Sequence, residues 1–309
     1  MSGLSYQQAL DLLQNHPDDY RSPASLADLA SRVSVVADGQ VTLLYGGMVH
    51  KDISSNDLVE LMLENHEDIR AINKTPLASF LQSEDYLEAV AHAHGCKSVD
   101  EVLANRSHPA NQFMFAATDG RWADASARFA AATKGEVVTL SSYAGADRTL
   151  GLVELPTILK NPDVTQINGK PIKVFQDIYE ETGSLAEVFK AVSASSYELM
   201  RNMEVKASTQ VNKDGTERQV AEKVGSKSLF EKSPYLGSVL EKGEANLSIA
   251  AIPDARARTN IEEGRHYLDK AANKMDKPIL LSAVDTPSSR LLARSQPPEL
   301  KTGSAASTP

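Results

Sequence analysis

The sequence predicts an α/β fold with a helical amino-terminal part, a small parallel or mixed sheet, and a mainly helical carboxyl-terminal extension. Apolar residues at helical spacing open the chain, at residues 6–14 and 24–33. Short aliphatic and β-branched runs such as "VTLLY" and "EVVTL" then alternate with helical segments, an order typical of α/β sheets. Beyond Pro156 the sequence signal weakens, and mainly helices are predicted.

The other elements follow from the same two periods, 3.6 residues for helices and 2 for strands. Helices are predicted at residues 6–14, 24–33, about 55–66, in segments up to about 105, within 109–133, and at 171–181, 184–203 and 260–274. Strands are predicted at residues 41–45, 69–72, 136–142 and 149–155, with a further pair near 205–222. The expected N-caps are Ser25, Ser55 or Asn56, and Asn260, and Gly135 is expected to end the alanine-rich helix.

Composition argues against several classes of protein. The 309 residues are 41% hydrophobic and 24% charged, which is ordinary for a globular chain. The formal charge of −9 and the lack of a dense basic run argue against a nucleic-acid-binding surface. The sequence contains no run of about 18 apolar residues, so no transmembrane segment is predicted. The single cysteine, Cys96, cannot form an intrachain disulfide.

Three segments carry the residues of most chemical interest. "LLYGG" places Tyr45, Gly46 and Gly47 at the end of a predicted strand. "WADASARFA" places Trp122 and Ser126 four residues apart on one face of a helix. "TLGLVELP" places Glu154 in the middle of an apolar segment that we interpret as a strand. A solvent-facing Glu154 and a core Trp122 are the alternative interpretations.

Together these segments, within roughly residues 40–160, resemble the ADP-ribosyl cyclase and NAD glycohydrolase family. In that family a strand ends in an aromatic residue followed by small residues, a helix carries Trp-x-x-x-Ser-x-x-Phe-Ala, and a strand carries Thr-Phe-Gly-x-Val-Glu. The resemblance implies that Glu154 is the catalytic glutamate and that Ser126 lies near the anomeric carbon. It also implies that Trp122 and Tyr45 are the aromatic walls of the site. The residues that it places along the diphosphate are Gly46, Gly47, Thr149 and Leu150.

Several positions depart from the pattern of that family. Tyr45 stands where vertebrate members have Trp, and Leu150 replaces a Phe. The disulfides of the extracellular members are absent. The acidic residue that those members carry in the segment matching "INKTPLASFL" is here Asn73 or Lys74. We therefore assign Asn73 to the substrate-binding group as a neutral replacement.

These residue types also suit the chemistry of NAD cleavage without the family name. The reaction passes through an oxocarbenium-like ribosyl centre, which a nearby carboxylate such as Glu154 stabilises. Nicotinamide in NAD is a flat cation, and an aromatic face such as Trp122 contributes about 0.5 to 2 kcal/mol of cation–π attraction. A glycine pair after a strand lets backbone N–H groups approach phosphate oxygens. NAD is then a substrate, and neither a cofactor nor a metal is expected.

We therefore expect an NAD-cleaving enzyme that releases nicotinamide and ADP-ribose, of a kind that suits a bacterial toxin or translocated effector. Two other hypotheses remain open. An ADP-ribosyltransferase would use Glu154 with Ser141 and Ser142, and Arg70 would hold NAD. A non-catalytic module would bind a protein through its helical carboxyl-terminal half.

The predicted organisation has four parts: a helical segment at 1–38, a cyclase-like catalytic region at 39–182, a mainly helical extension at 183–290 and a disordered tail at 291–309. The first 20 residues lack the basic and apolar regions of a Sec signal peptide. We expect a cytoplasmic protein, or one secreted without that signal into a host or target cell. Its protein partner would be a chaperone, an immunity protein or a host protein.

Overall fold

The computed structural model describes residues 3–50, 53–65, 68–141, 145–200, 204–211, 217–225 and 255–275. Residues 1–272 group into one compact unit. The predicted tail at 291–309 lies outside the described residues. The predicted boundaries at residues 38, 182 and 290 stay predictions.

The elements alternate along the chain as the sequence predicts. Within the described residues the α-helices are α1 (Tyr6–Asn15), α2 (Pro23–Arg32), α3 (Ser55–Asn65), α4 (Pro76–Gln82), α5 (Glu84–Ala93), α6 (Val99–Ala104), α7 (Pro109–Phe115), α8 (Arg121–Ala131), α9 (Leu155–Lys160), α10 (Ile172–Thr182), α11 (Leu185–Met200) and α12 (Ala255–Met275). The described strands are β1 (Val41–Tyr45), β2 (Met48–His50), β3 (Ile53–Ser54), β4 (Ile69–Ala71), β5 (Gly135–Leu140), β6 (Val164–Ile167), β7 (Lys170–Pro171), β8 (Glu204–Val211) and β9 (Glu217–Gly225).

The main sheet is mixed and has the order β4-β1-β5-β6-β7. β4, β1, β5 and β6 are parallel, and β7 runs antiparallel to β6. The central strands β1 and β5 are mainly aliphatic and are buried along almost their whole length, as is usual in parallel sheets. β8 and β9 form a separate antiparallel pair, which confirms the pair predicted near 205–222. The predicted α/β fold class is confirmed.

The strand predicted at 149–155 is wrong. Leu150–Glu154 form a π-helical turn that continues into α9. The segment is buried at Leu150, Glu154, Leu155 and Ile158, whereas Leu152 is 44% exposed, so the period is helical. Pro156 lies in the first turn of α9, directly after the π-helical turn.

Several predicted helix boundaries also move. The N-cap of α2 is Ser22, and Ser25 is its partner in a capping box. The alanine-rich segment at 109–133 is two helices, α7 and α8, separated by a turn. Gly135 begins β5, beyond the end of α8 at Ala131. Asn260 lies inside α12, which begins five residues earlier at Ala255.

The sheet is tied to α11 by buried hydrogen bonds. Ser196 Oγ donates to the Thr139 carbonyl (2.6 Å) and accepts from the Ser141 N–H (3.0 Å). Asn168, in the turn between β6 and β7, accepts from the Thr139 N–H (2.7 Å) and donates to Ser195 Oγ (2.8 Å). One asparagine therefore joins the β6–β7 turn, β5 and α11.

We expect Asn168→Ala to lower the free energy of unfolding by about 3 kcal/mol. The change leaves the buried Thr139 N–H without its acceptor, which costs about 1 to 3 kcal/mol. It also places alanine at a φ of +53°, which asparagine tolerates better. Urea denaturation measures the loss. Asn168→Gly keeps the backbone conformation and should lose less, and equal losses in both variants would contradict the backbone part of the argument.

Candidate functional site

A cavity of about 710 Å³ opens at the carboxyl end of the main sheet. This is the edge at which open α/β sheets bind ligands, and the volume is in the range of small-molecule sites. The end of β1, the first turn of α8, the π-helical turn and the start of α12 all contribute to its wall. The lining residues are Leu43, Leu44, Tyr45, Gly46, Gly47, Ile72, Phe115, Ala117, Trp122, Ser126, Gly145, Asp147, Arg148, Thr149, Leu150, Glu154 and Arg256.

Glu154 is a buried carboxyl group in the wall of this cavity, with 5% of its surface exposed. Burial raises the pKa of Glu154 to about 7, and a hydrogen bond with Ser126 opposes that shift. A carboxylate normally avoids such a position, because removing the charge from water is costly. Near neutral pH the side chain can therefore exist in either protonation state.

α8 presents Trp122 and Ser126 to the same cavity. The two residues are four positions apart, so they lie one above the other on one helix face. Ser126 is buried and contacts Glu154, whereas Trp122 is half-buried and packs against the core at the cavity wall. The helix predicted for "WADASARFA" thus places the indole ring and the serine hydroxyl at the same cavity.

The π-helical turn that carries Glu154 packs closely against the preceding loop. A Cβ atom on Gly151 would lie 2.3 Å from the Ala146 carbonyl oxygen, so only glycine fits there. The loop also places Asp147, Arg148 and Thr149 along the cavity. π-helical turns are rare in proteins, and many of those that occur lie at functional sites. The turn that carries Glu154 fits that pattern.

Tyr45 lines the cavity at the end of β1, and its hydroxyl donates to Asn73 Oδ1. The Asn73 amide in turn donates to Glu60 and, at 3.3 Å, to Asn56 on α3. The pKa of the Tyr45 hydroxyl is raised, first by burial and then by the charges of Glu154 and Glu60. Asn73 does not line the cavity itself, so it acts there through Tyr45.

The glycine pair provides space more than hydrogen-bond donors. Both glycines line the cavity, but the Gly46 N–H donates to the Leu140 carbonyl at 3.2 Å. The Gly47 carbonyl accepts from the Ser55 N–H and hydroxyl. The Gly46 N–H is therefore engaged within the protein, unlike the donor that the sequence pattern suggests.

Several lining residues are not among those that the sequence predicts, and of these Phe115, Asp147, Arg148 and Arg256 carry an aromatic ring or a charge. Phe115 is 42% exposed at the end of α7. Arg148 immediately precedes the "TLGLVE" segment, so its position next to a candidate motif was the one available signal. Arg256 lies far along the chain, and no local pattern connects it to the cavity.

Residues considered for other chemistry lie elsewhere. Arg70 donates to Thr42 Oγ1 (2.6 Å) and to the Lys134 carbonyl (2.7 Å), and it does not line the cavity. Ser141 is buried on the α11 side, and Ser142 lies outside the described residues. Among the described residues no group of three or more His, Cys, Asp or Glu side chains is arranged to hold a metal ion. In the same part of the chain no helix is long and apolar enough to cross a membrane.

Comparison with known proteins gave no match among protein families, curated proteins or solved structures. The geometry of the cavity and the chemistry of its side chains are the observations that bear on function.

Proposed function

We propose that the chain cleaves the nicotinamide glycosidic bond of NAD and transfers the ADP-ribosyl group to water. The observation that carries the proposal is the buried Glu154, which shares one cavity with Trp122 and Tyr45. A carboxyl group that costs stability where it lies, in a cavity that aromatic rings also line, suits a reaction that develops positive charge on a sugar. The resemblance in "LLYGG", "WADASARFA" and "TLGLVE" points to the same reaction.

In the proposed reaction the bond between ribose C1′ and the nicotinamide nitrogen breaks, and its electron pair stays on nitrogen. Nicotinamide leaves as a neutral molecule, and C1′ becomes an oxocarbenium-like cation. The Glu154 carboxylate stabilises this cation, and Ser126 holds the carboxylate in place through its hydrogen bond. Water then adds to C1′ and gives up a proton, which yields ADP-ribose.

The two aromatic side chains have different tasks in this scheme. Trp122 provides a face for the cationic nicotinamide ring and so orients the scissile bond. The Tyr45 hydroxyl donates to Asn73, and this hydrogen bond fixes the tyrosine ring in the cavity wall. The positive charge of bound nicotinamide also favours the ionised form of Glu154, whose pKa is about 7 in the empty cavity.

Release of nicotinamide from NAD by the purified chain, with no protein acceptor present, tests this proposal. We expect nicotinamide and ADP-ribose in equal amounts. Consumption of NAD only when an acceptor protein is added would favour ADP-ribosyl transfer, and no consumption would favour a non-catalytic module. Arg70, which the transferase hypothesis assigns to NAD, does not line the cavity.

We expect linear ADP-ribose as the main product and cyclised ADP-ribose as a minor species at most. Tyr45 and Leu150 are smaller than the Trp and Phe of the resembling family. They hold a folded-back adenine less firmly, so water reaches ribose C1′ first. Chromatography of a completed NAD digest with mass detection separates linear from cyclised products. A dominant cyclised product would contradict this size argument, and Glu60, which reaches Tyr45 through Asn73, would then be the first acidic residue to replace.

A further inference from the structure

The cavity receives a residue from the carboxyl-terminal part of the chain. Arg256, in the first turn of α12, lines it together with Glu154 and Trp122. Arg256 lies outside the three segments that resemble the cyclase family, so the resemblance says nothing about it.

α12 is fixed against α11 by a close backbone contact. A Cβ atom on Gly264 would lie 2.0 Å from the Lys190 carbonyl oxygen and 2.4 Å from its carbon, so the helices approach at a distance that only glycine allows. Buried residues recur along the same face of α12, at Ala257, Ile261 and Leu268. This spacing of four and seven residues is the pattern of a helix packed along one stripe.

Ion pairs on either side of Gly264 set the register of the two helices. Glu263 accepts from Lys190 (2.6 Å), and Arg265 donates to Glu198 through both Nη2 (2.8 Å) and Nε (3.1 Å). α11 is itself hydrogen-bonded to β5, as described above. A continuous set of contacts therefore runs from the sheet to α12 and fixes where Arg256 lies.

Two basic residues in the cavity lining suit an anion as ligand. The described basic residues of the lining are Arg148 and Arg256, and its acids are Asp147 and the deeply buried Glu154. Guanidinium groups bind phosphate oxygens in a bidentate manner, and two of them match a ligand that carries two linked phosphates. The Gly46 N–H donates to the Leu140 carbonyl and does not point to a ligand, so side chains are needed to bind phosphate oxygens.

We propose that α12 is part of the binding site and that Arg256 acts with Arg148 to bind the diphosphate of a dinucleotide. The identity of that dinucleotide as NAD rests on the proposed function. The anion site itself rests on the two arginines, the packing of α12 and the engaged Gly46. Residues 255–275 thereby have a role in substrate binding.

Binding of phosphate ligands tests the anion site without relying on catalysis. Trp122 is the only tryptophan of the chain and lines the cavity, so its fluorescence reports ligand binding. We expect Arg256→Gln to raise the Kd for ADP and inorganic pyrophosphate by about 10- to 100-fold, as for loss of a charge-assisted hydrogen bond. Arg256→Lys should recover part of that loss. Arg106→Gln removes an exposed charge that does not line the cavity and should change the Kd less than about twofold.

Cleavage assays separate this inference from the proposed function. In Arg256→Gln the KM for NAD should rise by a larger factor than the KM for nicotinamide riboside, which has no phosphate. Wild-type affinity for ADP in this variant would overturn the anion site, whatever the cleavage results. A wild-type chain that cleaves neither substrate would overturn the proposed function, and weakened ADP binding by Arg256→Gln would still support the anion site.

Discussion

Glu154→Gln is expected to reduce nicotinamide release from NAD by at least about 100-fold, the range found when a group that stabilises transition-state charge is removed. The change keeps the shape and the hydrogen bond to Ser126 but removes the negative charge that the ribosyl cation requires. Single-turnover and steady-state assays of nicotinamide release measure it. Glu88→Gln, which neutralises an exposed glutamate on α5, should keep wild-type activity.

The same variant should be more stable than the wild type at high pH. The pKa of Glu154 is about 7 in the folded chain and 4.5 ordinarily, so between these values the folded state binds the proton more tightly than the unfolded state. The free energy of unfolding of the wild type therefore falls as pH rises through this window, by about 3 kcal/mol in all. Glutamine cannot ionise and avoids that loss.

Urea denaturation at two pH values checks this. Glu154→Gln and wild type should be similarly stable at pH about 5, and the variant should be more stable at pH about 8. An equal stability difference at both values would contradict the buried position of the charge. Wild-type turnover by the variant would show that Glu154 has no part in catalysis and would overturn the proposed function.

The sheet was predictable because its strands carry their signal locally. β1 and β5 are short, mainly aliphatic runs that are buried along almost their whole length, so their burial shows in composition alone. Trp122 and Ser126 were predictable for the same reason, since helical spacing places residues four apart on one face. Residues whose position depends only on the periodicity of a single helix or strand could therefore be predicted from the sequence.

The misread segment around Glu154 shows where local signals fail. "TLGLVELP" has the composition of a strand, and its helical period becomes clear only when burial is known at Leu150, Glu154, Leu155 and Ile158. The predicted secondary structure of this segment was wrong, but the residue predicted to lie in the site, Glu154, does line the cavity. A side chain can be matched to a motif even when the backbone that carries it is assigned wrongly.

The error at the start of α12 had a larger consequence. The helix was predicted from Asn260 because the preceding residues, "ARART", have too few apolar side chains to show a period. Its true first turn carries Arg256 into the cavity. The packing of Gly264 on Lys190, which positions this turn, is a contact between helices and leaves no local trace in the sequence.

Trp122→Ala should lower kcat/KM for NAD by at least about tenfold, with a rise in KM and a fall in kcat. The indole face is expected to stack on the nicotinamide cation, and its loss removes cation–π attraction of about 0.5 to 2 kcal/mol as well as the orientation of the scissile bond. Trp122→Phe keeps a smaller aromatic face and should recover part of the activity. Initial rates over a range of NAD concentrations measure both constants.

Phe129→Ala is the matched control for this prediction. Phe129 lies two turns further along the same face of α8, but it is 3% exposed and does not line the cavity. Its truncation should cost about 3 to 5 kcal/mol of stability, as for other buried aromatic residues, and leave kcat/KM of the folded fraction unchanged. Trp122 is only half-buried at the cavity wall, so its truncation should show the reverse balance, with a small loss of stability and a large loss of catalysis. If Trp122→Ala instead behaved like Phe129→Ala, the tryptophan would be a packing residue, and the nicotinamide ring would have to bind against Tyr45 or Phe115.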